Sequence, residues 1–166
     1  MNFMTTGLTP ADQVLTIELA HLWRSKIVDK CADAERQVLR LVKLAGGDLS
    51  SKALLSQKID RLTKLMEANC GPVRATKVRP LLDRFQPIAL LRSELVHSTL
   101  SMAQVEGERA AILRNSAMEQ PADGSREILT LARLRETHRE LSQIVNGLRQ
   151  EARIAEERAG PPLSRG

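Results

Sequence analysis

Residues 91–100 read LRSELVHSTL, and within them Arg92 and His97 stand five positions apart. The two side chains suit one chemistry, the cleavage of RNA without a metal. That reaction needs a group to move protons at the 2′-oxygen or the leaving 5′-oxygen, and histidine titrates near neutrality. It also needs a fixed cation where charge builds on the phosphate oxygens, which an arginine supplies with its fork of donors. One arginine and one histidine make a thin site. Two copies facing each other across a symmetric dimer would put two of each around one scissile phosphate.

Spacing alone does not single this pair out. Arg133 and His138 repeat it in the segment RLRETH. His138 lies midway along a helical pattern, on its apolar stripe, and reads as a core or groove-facing histidine. Five residues turn an ideal helix by about 140°, so neither pair shares a face strictly. The Arg92 pair falls where a helix should end. There Ser98, Thr99 and the segment that follows can let the backbone turn and bring His97 toward the arginine.

The elements that must position these residues are helices. Thr9-Pro10-Ala11-Asp12 has the chemistry of a helix start, with a capping hydroxyl, a proline suited to the first turn and an acid at the positive end. Leu15, Leu19, Leu22, Ile27, Cys31, Ala34, Val38, Leu41 and Val42 then recur at helical spacing, up to Gly46-Gly47. A second helix is expected from a cap at Asp48 or Ser50, through Leu54, Ile59 and Leu62, to Asn69-Cys70-Gly71-Pro72. A third starts at Thr76 and runs through Leu82, Phe85 and Leu95, with Pro87 predicted to kink it about one turn before Arg92.

After Leu100 the helical stripe is lost, and Glu106-Gly107-Glu108 can turn a short hairpin of two strands, with a helical extension or a loop as the alternatives. The connector SAMEQPADGS carries Pro121 and Asp123-Gly124. Ser125 is the expected cap of a last helix, whose stripe runs Ile128, Leu131, Leu134, His138, Leu141, Ile144, Val145 and Leu148, weakened locally by Gly147. The fold class read from this order is all-α: a four-helix up-and-down bundle with a short β-hairpin-like insert between helices 3 and 4. Residues 9–158 form one domain, with residues 1–8 and the tail 159–166 disordered.

Composition supports helices and narrows function. The 166 residues include one Trp, two Phe and no Tyr, which leaves the apolar mass to helix formers. The net charge of +5 permits a polyanionic partner, although acidic residues are interspersed throughout and a plain solvated surface reads equally well. Scarce aromatics argue against a base-stacking platform of the RRM or OB type. Cys31 and Cys70 lack metal or redox spacing and read as small buried hydrophobes in a reducing compartment. No Gly-rich phosphate loop, nucleophile elbow or zinc spacing is present, and the Glu18/His21 pair has no second copy, so neither metal nor cofactor is expected. MNFMTTGLTPADQ has neither the basic nor the apolar region of a leader, and no run approaches the ~20 apolar residues of a membrane span. A cytoplasmic location follows as the expectation.

The succession of a long first helix, a second helix, a motif helix, a hairpin-like insert and a long last helix resembles the HEPN family over residues 10–155. That family's motif is Arg, usually followed by a polar residue such as Asn, then a few residues and His, at the end of the third main helix. LRSELVHS matches it at Arg92 and His97. Ser93 stands where the family commonly has Asn, so a hydroxyl replaces an amide with both donor and acceptor arms. The resemblance implies a homodimeric, metal-independent endoribonuclease that leaves a 2′,3′-cyclic phosphate. By that resemblance Arg92 stabilises the phosphorane-like transition state, His97 is general acid or base, Ser93 orients the pair, and Glu94 tunes or positions it. Arg109 and Arg114 on the insert are candidate phosphate contacts. For Glu94, Arg109 and Arg114 an ordinary solvated surface role stays open. The alternatives are a non-catalytic module that binds RNA, nucleotide or a partner protein, or a toxin paired with an antitoxin, or a helical interaction protein in which Arg92 and His97 pair only structurally.

Overall fold

The computed structural model describes residues 14–50, 52–68, 75–115 and 128–160. Among them the chain is mostly helical, with a small antiparallel sheet between the third and fourth helices. The order is α1 (Ile17–Leu44), α2 (Leu55–Ala68), α3 (Ala75–His97), β1 (Ser98–Val105), β2 (Glu108–Asn115), β3 (Ile128–Leu129) and α4 (Leu131–Ala159). The predicted helix start at Thr9, the Asn69–Pro72 stop, the 116–125 connector with its Ser125 cap, and the disordered ends (apart from residues 159 and 160) lie outside the described residues.

Among the described residues α1 begins at Ile17, with residues 14–16 outside any helix. Thr16 is its N-cap, in an extended conformation, and its Oγ1 accepts from the Leu19 N–H at 3.2 Å. It ends as predicted, with Gly46 at φ +76°. Ala20, Ile27, Cys31, Ala34, Val38, Leu41 and Val42 form its buried stripe.

Helix α2 does not start at Asp48 or Ser50. Ser50 instead accepts from the Lys52 N–H within a local turn. The Leu54 carbonyl takes the first helical bond, from the Lys58 N–H, and the Gln57 side chain reaches back to the Leu54 N–H at 3.0 Å, one half of a capping box. Leu54, expected on the apolar stripe, is consequently exposed. Thr76 is not a cap either, because α3 already includes Ala75.

Helix α3 runs unbroken through Pro80 and Pro87, both exposed. With the prolines on the solvent side, the carbonyls they cannot serve face water. Val78, Leu82, Phe85, Ile88 and Leu95 hold the opposite side in the core.

The hairpin forms where Glu106-Gly107-Glu108 predicts it, although Glu108 already belongs to β2. β1 and β2 pair in full register from Ser98↔Asn115 to Val105↔Glu108. The two turn residues have φ of +51° and +84°, the positive values that a two-residue type I′ turn demands. A third strand was not anticipated. Ile128-Leu129 pairs with Ile112-Ala111, so Ile128 leaves the helical stripe and α4 starts only at Leu131, capped by Thr130. Thr130 Oγ1 accepts from the Arg133 N–H at 3.2 Å.

Cross-helix contacts fix the directions. Trp23 meets His138, and Arg40 pairs with Glu156, so α1 and α4 run the same way. Arg24 meets Val96 while Cys31 feels Arg92, so α3 runs against α1. Leu81 closes on Gly147, and Arg84 bonds Glu140 and Gln143, so α3 also opposes α4. Strict up-and-down alternation would set α4 against α1, and that expectation is corrected here. The cause is the link after α1, which is too long to force an antiparallel neighbour. It carries the chain back so that α2 starts with Lys58 beside Glu35 and reaches Gly47 at Leu65.

One continuous core joins all four helices to the sheet, which enters it through Ala111, Leu113 and Leu129. At Gly147 a Cβ would lie 2.8 Å from Leu81 Cδ1, so this glycine is where α3 closes on α4. Lys58, only 1% exposed, is held across helices by Glu35 of α1. Glu156 likewise is paired across helices with Arg40, which holds its carboxyl below the usual carboxylate value. Among the described residues no helix is long and apolar enough to cross a membrane.

Candidate functional site

His97 is the last residue of α3 and is exposed. The chain passes from helix to strand with no intervening loop, so the imidazole stands at a fixed junction. The last carbonyls of a helix lack partners of their own. Here the Val96 carbonyl accepts from Arg24 Nη2 at 3.2 Å, which anchors a guanidinium of α1 beside the end of α3. Ser98 Oγ donates to Glu94 Oε2 at 3.3 Å across the same junction. Thr99 lies opposite Arg114 in the hairpin, and its Oγ1 donates to the Arg114 carbonyl at 3.2 Å. The exposed Arg114 therefore belongs to the same end of the fold as His97.

Arg92 sits elsewhere on the helix. It is half-buried and turned toward α1, where its charge acts on the Cys31 thiol. Burial dominates there and pushes that thiol up to about 12, with the Arg92 cation partly opposing it. Among the described residues no hydrogen bond or ion pair joins Arg92 to His97. The ~140° between them on an ideal helix is the reason: the seam with α1 takes one, and the end of the helix exposes the other.

Ser93 and Glu94 line a third surface, a groove of about 890 Å³ between α3 and α4. Leu90 and Leu91 share the α3 wall, and Arg133 and Thr137 stand on the α4 wall. His97 follows Ser93 by four residues and Leu90 by seven, so it continues this wall one turn further. Arg109 lies at the far end of the hairpin, opposite Gln104 next to the turn. At ~3.3 Å per residue that is about 17 Å along the strand from Arg114. Of the two insert arginines, only Arg114 is near the junction.

The competing pair is also resolved. Arg133 faces the groove, while His138 is half-buried with its ring edge-on to Trp23, centroids 5.4 Å apart. Partial burial, then Lys30 and Lys26, hold this imidazole below its ordinary value.

Arg24 was not found by sequence reading. It is 72 residues from the carbonyl it binds, and nothing local marks it. Only the antiparallel course of α1 and α3 brings the two together. Among the described residues no group of three or more His, Cys, Asp or Glu side chains could hold a metal ion. No family model, curated protein or solved structure matches this chain.

Proposed function

We propose that this chain is a HEPN-like cytoplasmic protein that acts on RNA as a homodimer, cleaving it without a metal at the junction of α3 and β1. One observation carries the reading: an exposed imidazole, His97, at a rigid helix-to-strand junction, beside a guanidinium of Arg24 anchored on the Val96 carbonyl and with Arg114 on the adjoining strand. In the reaction His97 takes the proton of the 2′-hydroxyl as that oxygen attacks phosphorus. The bond to the 5′-oxygen breaks, and the twin subunit's imidazole returns a proton to the leaving oxygen. The products are a 2′,3′-cyclic phosphate and a free 5′-hydroxyl. Arg92 supplies positive charge from the seam, and Arg24 is the cation held nearest the helix end. Ser93 and Glu94 form the adjoining wall, with Glu94 placed through Ser98.

The test is digestion of a mixed RNA panel by purified protein in the presence of a chelator. Cleavage with cyclic-phosphate ends is expected. His97→Ala and Arg92→Ala each lower it at least a hundredfold while circular dichroism and the melting temperature stay near wild type. Wild-type protein that leaves every RNA intact ends the enzymatic reading. An Arg133→Ala loss as large as that of Arg92→Ala moves the site into the α3–α4 groove.

A second reading is a non-catalytic module that binds RNA, nucleotide or a partner protein, an antitoxin among the candidates. The observation favouring it is that within one chain Arg92 is half-buried, near enough to Cys31 for its charge to act on the thiol, and among the described residues makes no hydrogen bond to His97. RNA or nucleotide binding without cleavage, insensitive to His97→Ala, is its signature.

A further inference from the structure

A second cluster lies on the face that α1 turns to α4. Trp23, Lys26 and Lys30 follow one another at helical spacing on α1, and His138 of α4 closes the group from the other side. Trp23 is the chain's one tryptophan and is half-buried. Its indole is held edge-on by the His138 ring at an interplanar angle of 71°. Lys26 Nζ lies 4.7 Å from the indole centroid, over the ring. Among the described residues Lys26 meets no carboxylate. Lys30 reaches Asp33 only at 3.9 Å, and Asp33 is bound more closely by Arg36.

This is a half-buried aromatic ring fixed along one edge, with the ammonium of the exposed Lys26 resting on it and a second ammonium one turn away. A cation over a ring at the surface is a weak contact, and a stacked nucleobase is a stronger one. A base can therefore displace Lys26, and the freed ammonium gains a phosphate in exchange. We propose that Trp23, Lys26 and Lys30 form a contact site for one nucleotide of a single-stranded nucleic acid, the base on the indole and the flanking phosphates on the two lysines. His138 is a positioning residue, fixing the indole edge. One ring makes a single stacking contact rather than a platform, in keeping with the scarcity of aromatics elsewhere. The site is built from α1 and α4 and uses none of the chemistry at His97.

The experiment uses the full chain carrying His97→Ala and a twelve-residue oligothymidylate, which lacks the 2′-hydroxyl and is not cut by the proposed reaction. Trp23, as the sole tryptophan, reports directly. Addition of the oligonucleotide is expected to quench its fluorescence saturably, with affinity falling as salt rises. Lys26→Ala and Lys30→Ala should each reduce the salt slope by about one. Trp23→Leu, followed by anisotropy of a labelled oligonucleotide, should bind roughly tenfold more weakly, and Trp23→Phe should recover most of the loss because it keeps a ring to stack on.

Binding that leaves the fluorescence unchanged overturns the proposal. So does an unaltered affinity in Trp23→Leu, an absence of binding, or an acidic peptide that quenches as well as the oligonucleotide. If Trp23→Leu fails to fold, unchanged affinity and salt slope in both lysine variants overturn it equally. RNA left uncut by wild-type protein, together with oligonucleotide quenching, sinks the nuclease and leaves this site standing. RNA cleavage without quenching does the reverse.

Discussion

The chain carries two Arg-x4-His turns, and the fold treats them in opposite ways. In α3 the arginine is half-buried against α1 and the histidine is exposed at the helix end. In α4 the arginine is exposed on a groove wall and the histidine is half-buried against Trp23. The spacing is identical, so the difference comes from which stripe of each helix the neighbours cover. Two residues ~140° apart on a helix packed along one side need not share its buried stripe, and in both helices here the motif is split between two surfaces. At the α3 end the anchored cation comes from another element, Arg24 of α1 on the Val96 carbonyl.

The sharpest way to break this comparison is to remove the two imidazoles in turn. On the nuclease reading, His97→Ala lowers RNA cleavage by about 10²–10⁴-fold, the usual worth of a general acid or base. His138→Ala leaves cleavage within a few-fold, because that ring faces Trp23. Cleavage rates of purified variants on one RNA substrate decide between them. Equal losses would mean that exposure does not separate the two turns. Arg24→Ala, assayed alongside Arg92→Ala, tells whether the cation anchored at the helix end is needed in addition to Arg92.

The seam that takes Arg92 offers the next effect in size. Cys31 and Glu35 lie one turn apart on α1, and Glu35 holds the buried ammonium of Lys58. Removing one partner of a buried ion pair costs up to about 3–5 kcal/mol. Glu35 is 22% exposed on its side chain, so the loss on Glu35→Ala should fall at the low end, about 3 kcal/mol. Urea unfolding measures it. A loss below about 1 kcal/mol, the usual worth of an exposed pair, would show that water reaches Lys58.

Much of this could be read in the sequence, and the parts that could not share a cause. The α1 stripe, its glycine stop and the turn at Glu106-Gly107-Glu108 are local signals: apolar period, a positive φ, a glycine between polar residues. The α2 start differs because two polar residues, Asp48 and Ser50, could each cap, while the bond that decides comes from Gln57, beyond the helix start. β3 failed because Ile128-Leu129 fits a helical stripe and a strand equally well in so short a run. The direction of α4, the burial of Lys58 and the place of Arg24 are long-range facts, set by pairs that are distant in sequence. His97 and Arg92 were found by residue type and spacing, but spacing carries no record of which neighbour each will face.

The smallest expected effect concerns His138 and is read from pH. Lys26 and Lys30 face it from α1, and Arg135 precedes it by one turn on α4. Partial burial and the two lysines lower its folded pKa below the ordinary 6.5, so protonation favours the unfolded chain. The unfolded state binds more protons in the window between the two values, and stability there rises with pH. The contribution is complete above 6.5 and is lost as pH falls below it toward the depressed folded value. Glu18 and Glu156 have carboxyls lowered from 4.5, and their own losses begin only as the pH approaches that value. A urea midpoint measured between these two regimes should fall with acidification in wild type, and fall less in His138→Gln. If His138→Gln keeps the wild-type slope, burial and the two lysines are not what lowers this imidazole.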